Sequence, residues 1–174
     1  MDISKFDATK RQLDTAINLY FKDAYPVSIH TLTAAAHQIL MDLALARSQG
    51  VKSFMKDMAL KVVVKGKEKE YLSIVNEAEN FFKHAEKDHR SLLDFRPEQT
   101  EYLLFDAVEM YMQLASEMPE DMSIFRVWFL LKHHDFISDE IKNKLRSERI
   151  DYVGFSKNSK AEFYKNVKLG LMQL

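Results

Sequence analysis

Cysteine is absent from this chain, which excludes disulfide bridges, thiolate metal sites and a cysteine nucleophile. Glycine and proline are scarce, at four and three residues, so the backbone has few places to turn tightly and long helices are favoured over many short strands. No apolar run reaches the roughly 18 residues of a membrane span. Met1-Asp2-Ile3-Ser4-Lys5 lacks the apolar centre of a secretory signal. With no thiols to oxidise, these absences predict a soluble, cytoplasmic protein and no membrane partner.

Charge of one sign is also lacking. The chain has 25 Lys plus Arg against 26 Asp plus Glu, a formal net charge of −1, so no global field gathers nucleic acid or an anionic surface. Glycine-rich phosphate loops are missing, as are G-x-S-x-G, H-E-x-x-H and C-x-x-C patterns. Most enzyme classes with a short signature are thereby removed, and no cofactor is indicated.

What remains is apolar enough to fold. With 174 residues, 47% hydrophobic and 29% charged, the chain predicts one domain spanning residues 1–174 and an all-α fold. Charge is unevenly spread: residues 94–121 carry a net of −7 and residues 139–174 a net of +3. Such halves are expected to pair across the fold or between two copies, or to stand as solvated faces.

Periodicity places the first helix over about Lys5 to Phe21, with Phe6, Leu13, Ala16, Ile17, Tyr20 and Phe21 inward. Pro26 suits the first turn of a second helix running to about Arg47, where Ser48-Gln49-Gly50 stops it. Small residues along this helix allow a neighbour to approach closely. His30 and His37 lie seven apart on one of its faces, either lining a pocket or metal site or hydrogen-bonded at the core boundary.

Residues 51–66 predict a third helix closed by Gly66, although Val62-Val63-Val64 is also suited to extended backbone. Lys52, Lys56, Lys61, Lys65, Lys67 and Lys69 make this the most basic stretch. It has no Arg and one stacking aromatic, Phe54, so the nucleic-acid signal is weak.

A fourth helix is predicted over about Glu68 to Ala85. Its apolar side holds Ile74, Val75, Ala78, Phe81, Phe82 and Ala85, and its polar side holds Glu77, Asn80, Lys83, His84 and Asp88. Asn80, Lys83, His84 and Asp88 are the candidate binding residues, because an i, i+4, i+8 stripe can converge on a ligand or partner. A solvated helix face is the competing account of the same stripe.

Pro97 opens a fifth helix to about Ala115, and Pro119 with Asp121 a sixth that is apolar on every side from Ile124 to Leu131. Asp106 and Arg126 each interrupt an apolar run, so they are expected to pair with one another. A short helix near Asp139 to Arg149 and a last one from about Ser159 to Leu169 complete the chain.

Arg126-x6-His133 resembles the R-x(4–6)-H motif of the HEPN superfamily, small helical proteins, often dimeric, many of them metal-independent ribonucleases. That resemblance implies Arg126 and His133 as catalytic residues about 10.5 Å apart along one helix face, holding a phosphate and moving its proton. Val127 departs from the family pattern, in which a polar residue commonly follows the Arg. His84, Asp88, His89, His133, His134 and Asp135 offer a separate possibility: if their helix ends meet, they supply imidazole and carboxylate ligands for a metal enzyme centred on His84 and His133.

The segment Asn80 to Ala85, with Leu104-Phe105-Asp106-Ala107-Val108 and Trp128 to His133, is also similar to a group of small, uncharacterised helical bacterial proteins. This likeness implies a cytosolic helical domain and brings no activity with it. Together these readings predict a single-domain helical bundle of six to eight helices around a central apolar helix at about 122–133. Its expected role is a binding or interaction module that self-associates as a homo-oligomer, with a protein or RNA partner, its many aromatics and nine Met supplying an apolar surface. The HEPN-like ribonuclease and the metal enzyme are the alternatives.

Overall fold

The computed structural model describes residues 1–48, 50–86, 89–147 and 159–170. Among them the regular structure is entirely helical. Helix α1 (Lys5–Phe21) starts on a capping box: the Ser4 hydroxyl accepts the Asp7 N–H and the Asp7 carboxylate accepts the Ser4 N–H, satisfying two donors that the first turn leaves over. Helix α2 (Pro26–Arg47) begins with Pro26 in its first turn and ends at Ser48 in left-handed backbone. Helices α1 and α2 pack along their length, as do α2 and α5 (Glu98–Ala115). Buried Thr33, Ala34, Ala36 and Ala44 on α2 let those neighbours approach.

Helix α6 (Glu120–Lys132) closes the other side of the core against α1 and α5. Met122, Ile124 and Phe125, then Val127 through Leu131, are all buried, so its all-round apolarity corresponds to an interior helix. Phe21 and Phe125 meet edge to face, and Phe105 stacks on Phe129 with ring centres 4.0 Å apart. Helix α7 (Asp139–Ser147) follows. The last helix, α8 (Lys160–Lys168), returns to α1 and α6, burying Phe163 completely against Trp128 and stacking Tyr164 on Phe21. The expected end of α7 at Arg149 lies outside the described residues.

Two helices expected from periodicity take other forms. In place of a third helix over 51–66, residues 51–53 lead into a π-helical turn (Phe54–Met58) and a single 3₁₀ turn (Ala59–Lys61). Beyond them Val62 and Val64 are exposed, in line with the poor helix preference of β-branched residues. The expected fourth helix divides at Asn76 into α3 (Glu68–Val75) and α4 (Glu77–Lys83). Asn76, near φ −94° and ψ 0°, ends one helix and opens the other, a role its short polar side chain suits. The break changes which residues face inward. Ala78 is buried and Phe81 and Phe82 are half-buried, but Ile74 and Ala85 are exposed.

Candidate functional site

Asp106 is the best-connected polar residue of the interior. It sits on α5 inside an apolar stretch, and its carboxylate accepts from four donors: His37 Nε2 at 3.0 Å, Ser53 Oγ at 2.5 Å, Phe54 N at 2.8 Å and Met55 N at 3.1 Å. Burial alone would raise its pKa. The His37 and Ser53 hydrogen bonds, the His37 ring and the Phe54 N–H outweigh it and hold the carboxyl below its usual range.

The expected Asp106–Arg126 pair is therefore corrected. Arg126 Nε donates instead to Glu109, 2.5 Å away on α5. Asp106 turns the other way, toward the first N–H groups of the π-helical turn, which have no partner within the turn, and the buried His37 ring. Ser53 and His37 both bond the carboxylate and are not bonded to each other, so this is an anchor and not a nucleophile with its base. Its structural result is to fix residues 53–55 against α2 and α5.

On either side of that segment, Gly50, Val51, Lys52 and Asp57 form one wall of an open groove of about 490 Å³. The second half of α2 forms the opposite wall with Met41, Asp42 and Leu45, and Met110 of α5 also lines it. Gln38 donates to the Asp42 carboxylate at 2.9 Å, and Asp57 accepts the Ser53 N–H at 3.0 Å. Leu45, in the groove lining, is 83% exposed. Met110, though buried, reaches the floor of the groove, whereas Met122 is enclosed in the core.

The two histidines of α2 are buried and have different partners. His30 Nδ1 is hydrogen-bonded to Thr100 Oγ1 at 3.0 Å, and Phe82 and Phe95 meet its ring edge to face. Desolvation pulls its pKa to about 4, with Glu79 opposing and Lys56 and Lys83 assisting, so the ring is neutral near pH 7. Hydrogen-bonded core histidines describe both residues. They share no partner, and His30 Nε2 and His37 Nδ1 accept none among the described residues.

Of the candidate binding residues, Asn80 and Lys83 are exposed on α4, and His84, the residue after its end, is exposed too. Lys83 reaches back to Glu79 at 2.6 Å, and Glu79 also receives the buried Lys56 at 3.2 Å. His84 has extended backbone just past the end of α4, so it does not continue the stripe that Asn80 begins. Asp88 lies outside the described residues.

Arg126 and His133 do share a face of α6. His133 Nε2 is 3.1 Å from Glu101 Oε1, and Lys132 Nζ donates to the other oxygen of that carboxylate. Phe129 lies between Arg126 and His133 along the helix, stacked on Phe105. Cations of α6 thus alternate with phenyl rings against carboxylates of α5, and both candidate catalytic residues face an acidic neighbour. Helix α4, which leads to His84, packs on α2, whereas α6 packs on α1, α5 and α8. Among the described residues no group of three or more His, Asp or Glu side chains is arranged to hold a metal ion. None of their helices is long and apolar enough to cross a membrane.

The residues that shape the groove were not candidates in the sequence. Asp106 was the one visible signal, an acid in an apolar run, and it pointed to a buried polar anchor without naming Ser53 as its partner. Leu45 carried no signal, because a leucine near a helix end reads as core. No protein-family model matches the chain, and comparison with curated proteins and with solved structures finds no match.

Proposed function

We propose that this chain is an interaction module that associates with itself. The observation that carries this reading is the groove between α2 and the 50–57 segment, open to solvent and lined by exposed Leu45 with Met41 and Val51. A contiguous apolar feature with a polar rim is how protein contact surfaces are built, and single exposed leucines elsewhere do not make one. The interior polar groups support the same reading: Asp106, Glu79, Glu101 and Glu109 are each engaged by neighbouring donors within the fold.

Native mass spectrometry over a concentration series tests it. The expected result is a species heavier than the 20.4 kDa chain that grows with concentration and is weakened by Leu45→Glu, a change at an exposed position. A chain that stays monomeric throughout overturns self-association.

The HEPN-like ribonuclease is the second reading, favoured by Arg126 and His133 lying on one face of α6. It requires His133 to leave Glu101, or to use that carboxylate as its orienting partner, and Arg126 to release Glu109 when a phosphate arrives. Cleavage of varied RNAs in EDTA that disappears in His133→Ala would establish it. The metal-enzyme reading needs stoichiometric metal that is retained through purification and lost on changing His84 or His133.

A further inference from the structure

We infer that the turn at 61–67 of one copy seats in the α2 groove of a second copy, an inference that rests on the self-association proposed above. The turn has the chemistry of an insert. Val62 and Val64 are 86% and 75% exposed, and Lys61, Lys65 and Lys67 flank them. It is also a formed structure: Lys67 N donates to Val64 O at 2.9 Å, and Gly66 holds φ +89°, a conformation that suits glycine. Two valines on a closed turn with no packing partner are apolar surface that folding has left in water.

The groove offers the matching half. Met41, Ala44, Val51 and Met110 supply apolar lining, and the carboxylates of Asp42 and Asp57 stand beside them. Lys52 also lines it, so two acids face one base there. Its volume, about 490 Å³, falls within the roughly 300–1,000 Å³ of clefts that seat compact groups. Valines set between lysines thus meet an apolar lining set between carboxylates, and in the folded chain the two do not meet: the valines are exposed and the groove is open.

A second copy is the occupant that charge and shape favour, since it brings lysines and aliphatic groups together. Nucleic acid suits the turn less well, because there is no Arg and no stacking aromatic within it. Reciprocal docking uses both turns and both grooves, and so closes as a two-fold dimer.

A charge exchange on the full chain tests this. One variant carries Lys61→Glu and Lys65→Glu, both exposed, and the other carries Asp42→Lys, also exposed. Each variant alone sets like charges against each other at both contacts, and its dimerisation is expected to weaken at least roughly tenfold in native mass spectrometry and sedimentation. An equimolar mixture pairs Glu with Lys at one contact and Lys with Asp at the other, and the mixed dimer is expected to return to about the wild-type affinity.

Circular dichroism with helical content unchanged establishes that each variant is folded. A wild-type dimer that both variants leave intact overturns this contact while self-association stands through another face. Variants that dissociate without rescue on mixing also overturn it. A wild-type chain monomeric at every concentration overturns this inference and the self-association reading together.

Discussion

At the scale of single residues, a buried charge survives where donors compensate its lost hydration, and Asp106 has four from two other segments, three on Oδ2 and one on Oδ1. Asp106→Ala would strand the Ser53 hydroxyl, two backbone N–H groups and His37 together. The expected loss is roughly 3–5 kcal/mol of stability, measured by denaturant unfolding, with early loss of hydrogen-exchange protection at Phe54 and Met55. Asp106→Asn keeps one acceptor and should cost less.

Acid acts on His30 and on the depressed carboxylates, Asp106 among them with Glu79 and Asp121, in separate windows. His30 has a folded pKa near 4, below its ordinary value of 6.5, so the unfolded chain binds the extra proton first. Its contribution is intact above pH 6.5 and is lost as pH falls toward 4, by roughly 2–3 kcal/mol. The Asp106 carboxyl is also depressed, so its contribution is lost only below the usual carboxylate range. His30→Asn, which keeps a polar group where Nδ1 meets Thr100, should flatten the upper window of a stability–pH curve and leave the lower one. An unchanged upper window would show that His30 is not the titrating group. The oddity of Asp106 was legible in the sequence; its partners were not, because His37 lies 69 positions away and Ser53 lies 53 away.

At the scale of elements, helices α1, α2, α5 and α6 follow their sequence signals closely, since a capping box opens α1 and a proline opens each of the other three ahead of an apolar run. Agreement fails between residues 51 and 85, where the pattern was read as two continuous helices. There the donors of Phe54 and Met55 find a carboxylate from another helix, and that tertiary bond selects a π-helical turn which local preference does not specify. Helix α8 is short, and its attachment rests on tertiary burial: Phe163 is fully enclosed and its ring centre lies 5.2 Å from that of Trp128. Phe163→Ala should destabilise the protein by roughly 3–5 kcal/mol and release α8 before the core. Trp128 is the chain's single tryptophan, so its emission reports on that contact together with its packing on Phe21 and its hydrogen bond to Tyr20. A red shift preceding the loss of helical circular dichroism is expected; coincident transitions would mean that α8 and the core unfold together.

At the scale of the whole molecule, the uneven charge of the sequence is largely reconciled inside one chain. Lys168 of α8 pairs with Glu120 and Asp121, Arg126 with Glu109, and Lys132 with Glu101, so the acidic stretch at 94–121 meets cations from α6 and α8. The more exposed of these pairs, such as Lys168 with Glu120, add little stability, but together they remove the acidic stretch as a field that would steer a distant partner. With a formal charge of −1 and a pI near 6.6, two copies near neutral pH meet with little long-range repulsion, and short-range patches decide whether they hold. Salt then separates two kinds of contact. If lysines and carboxylates rim the copy–copy interface, screening weakens it, and the dissociation constant should rise several-fold between about 0.05 and 0.5 M NaCl as the Debye length shrinks from above 10 Å toward a few Å. If the interface is apolar throughout, the same salt leaves affinity unchanged. Sedimentation across that range reads the difference directly, and a flat salt response in a chain that does dimerise would move the contact away from Lys61, Lys65 and Asp42.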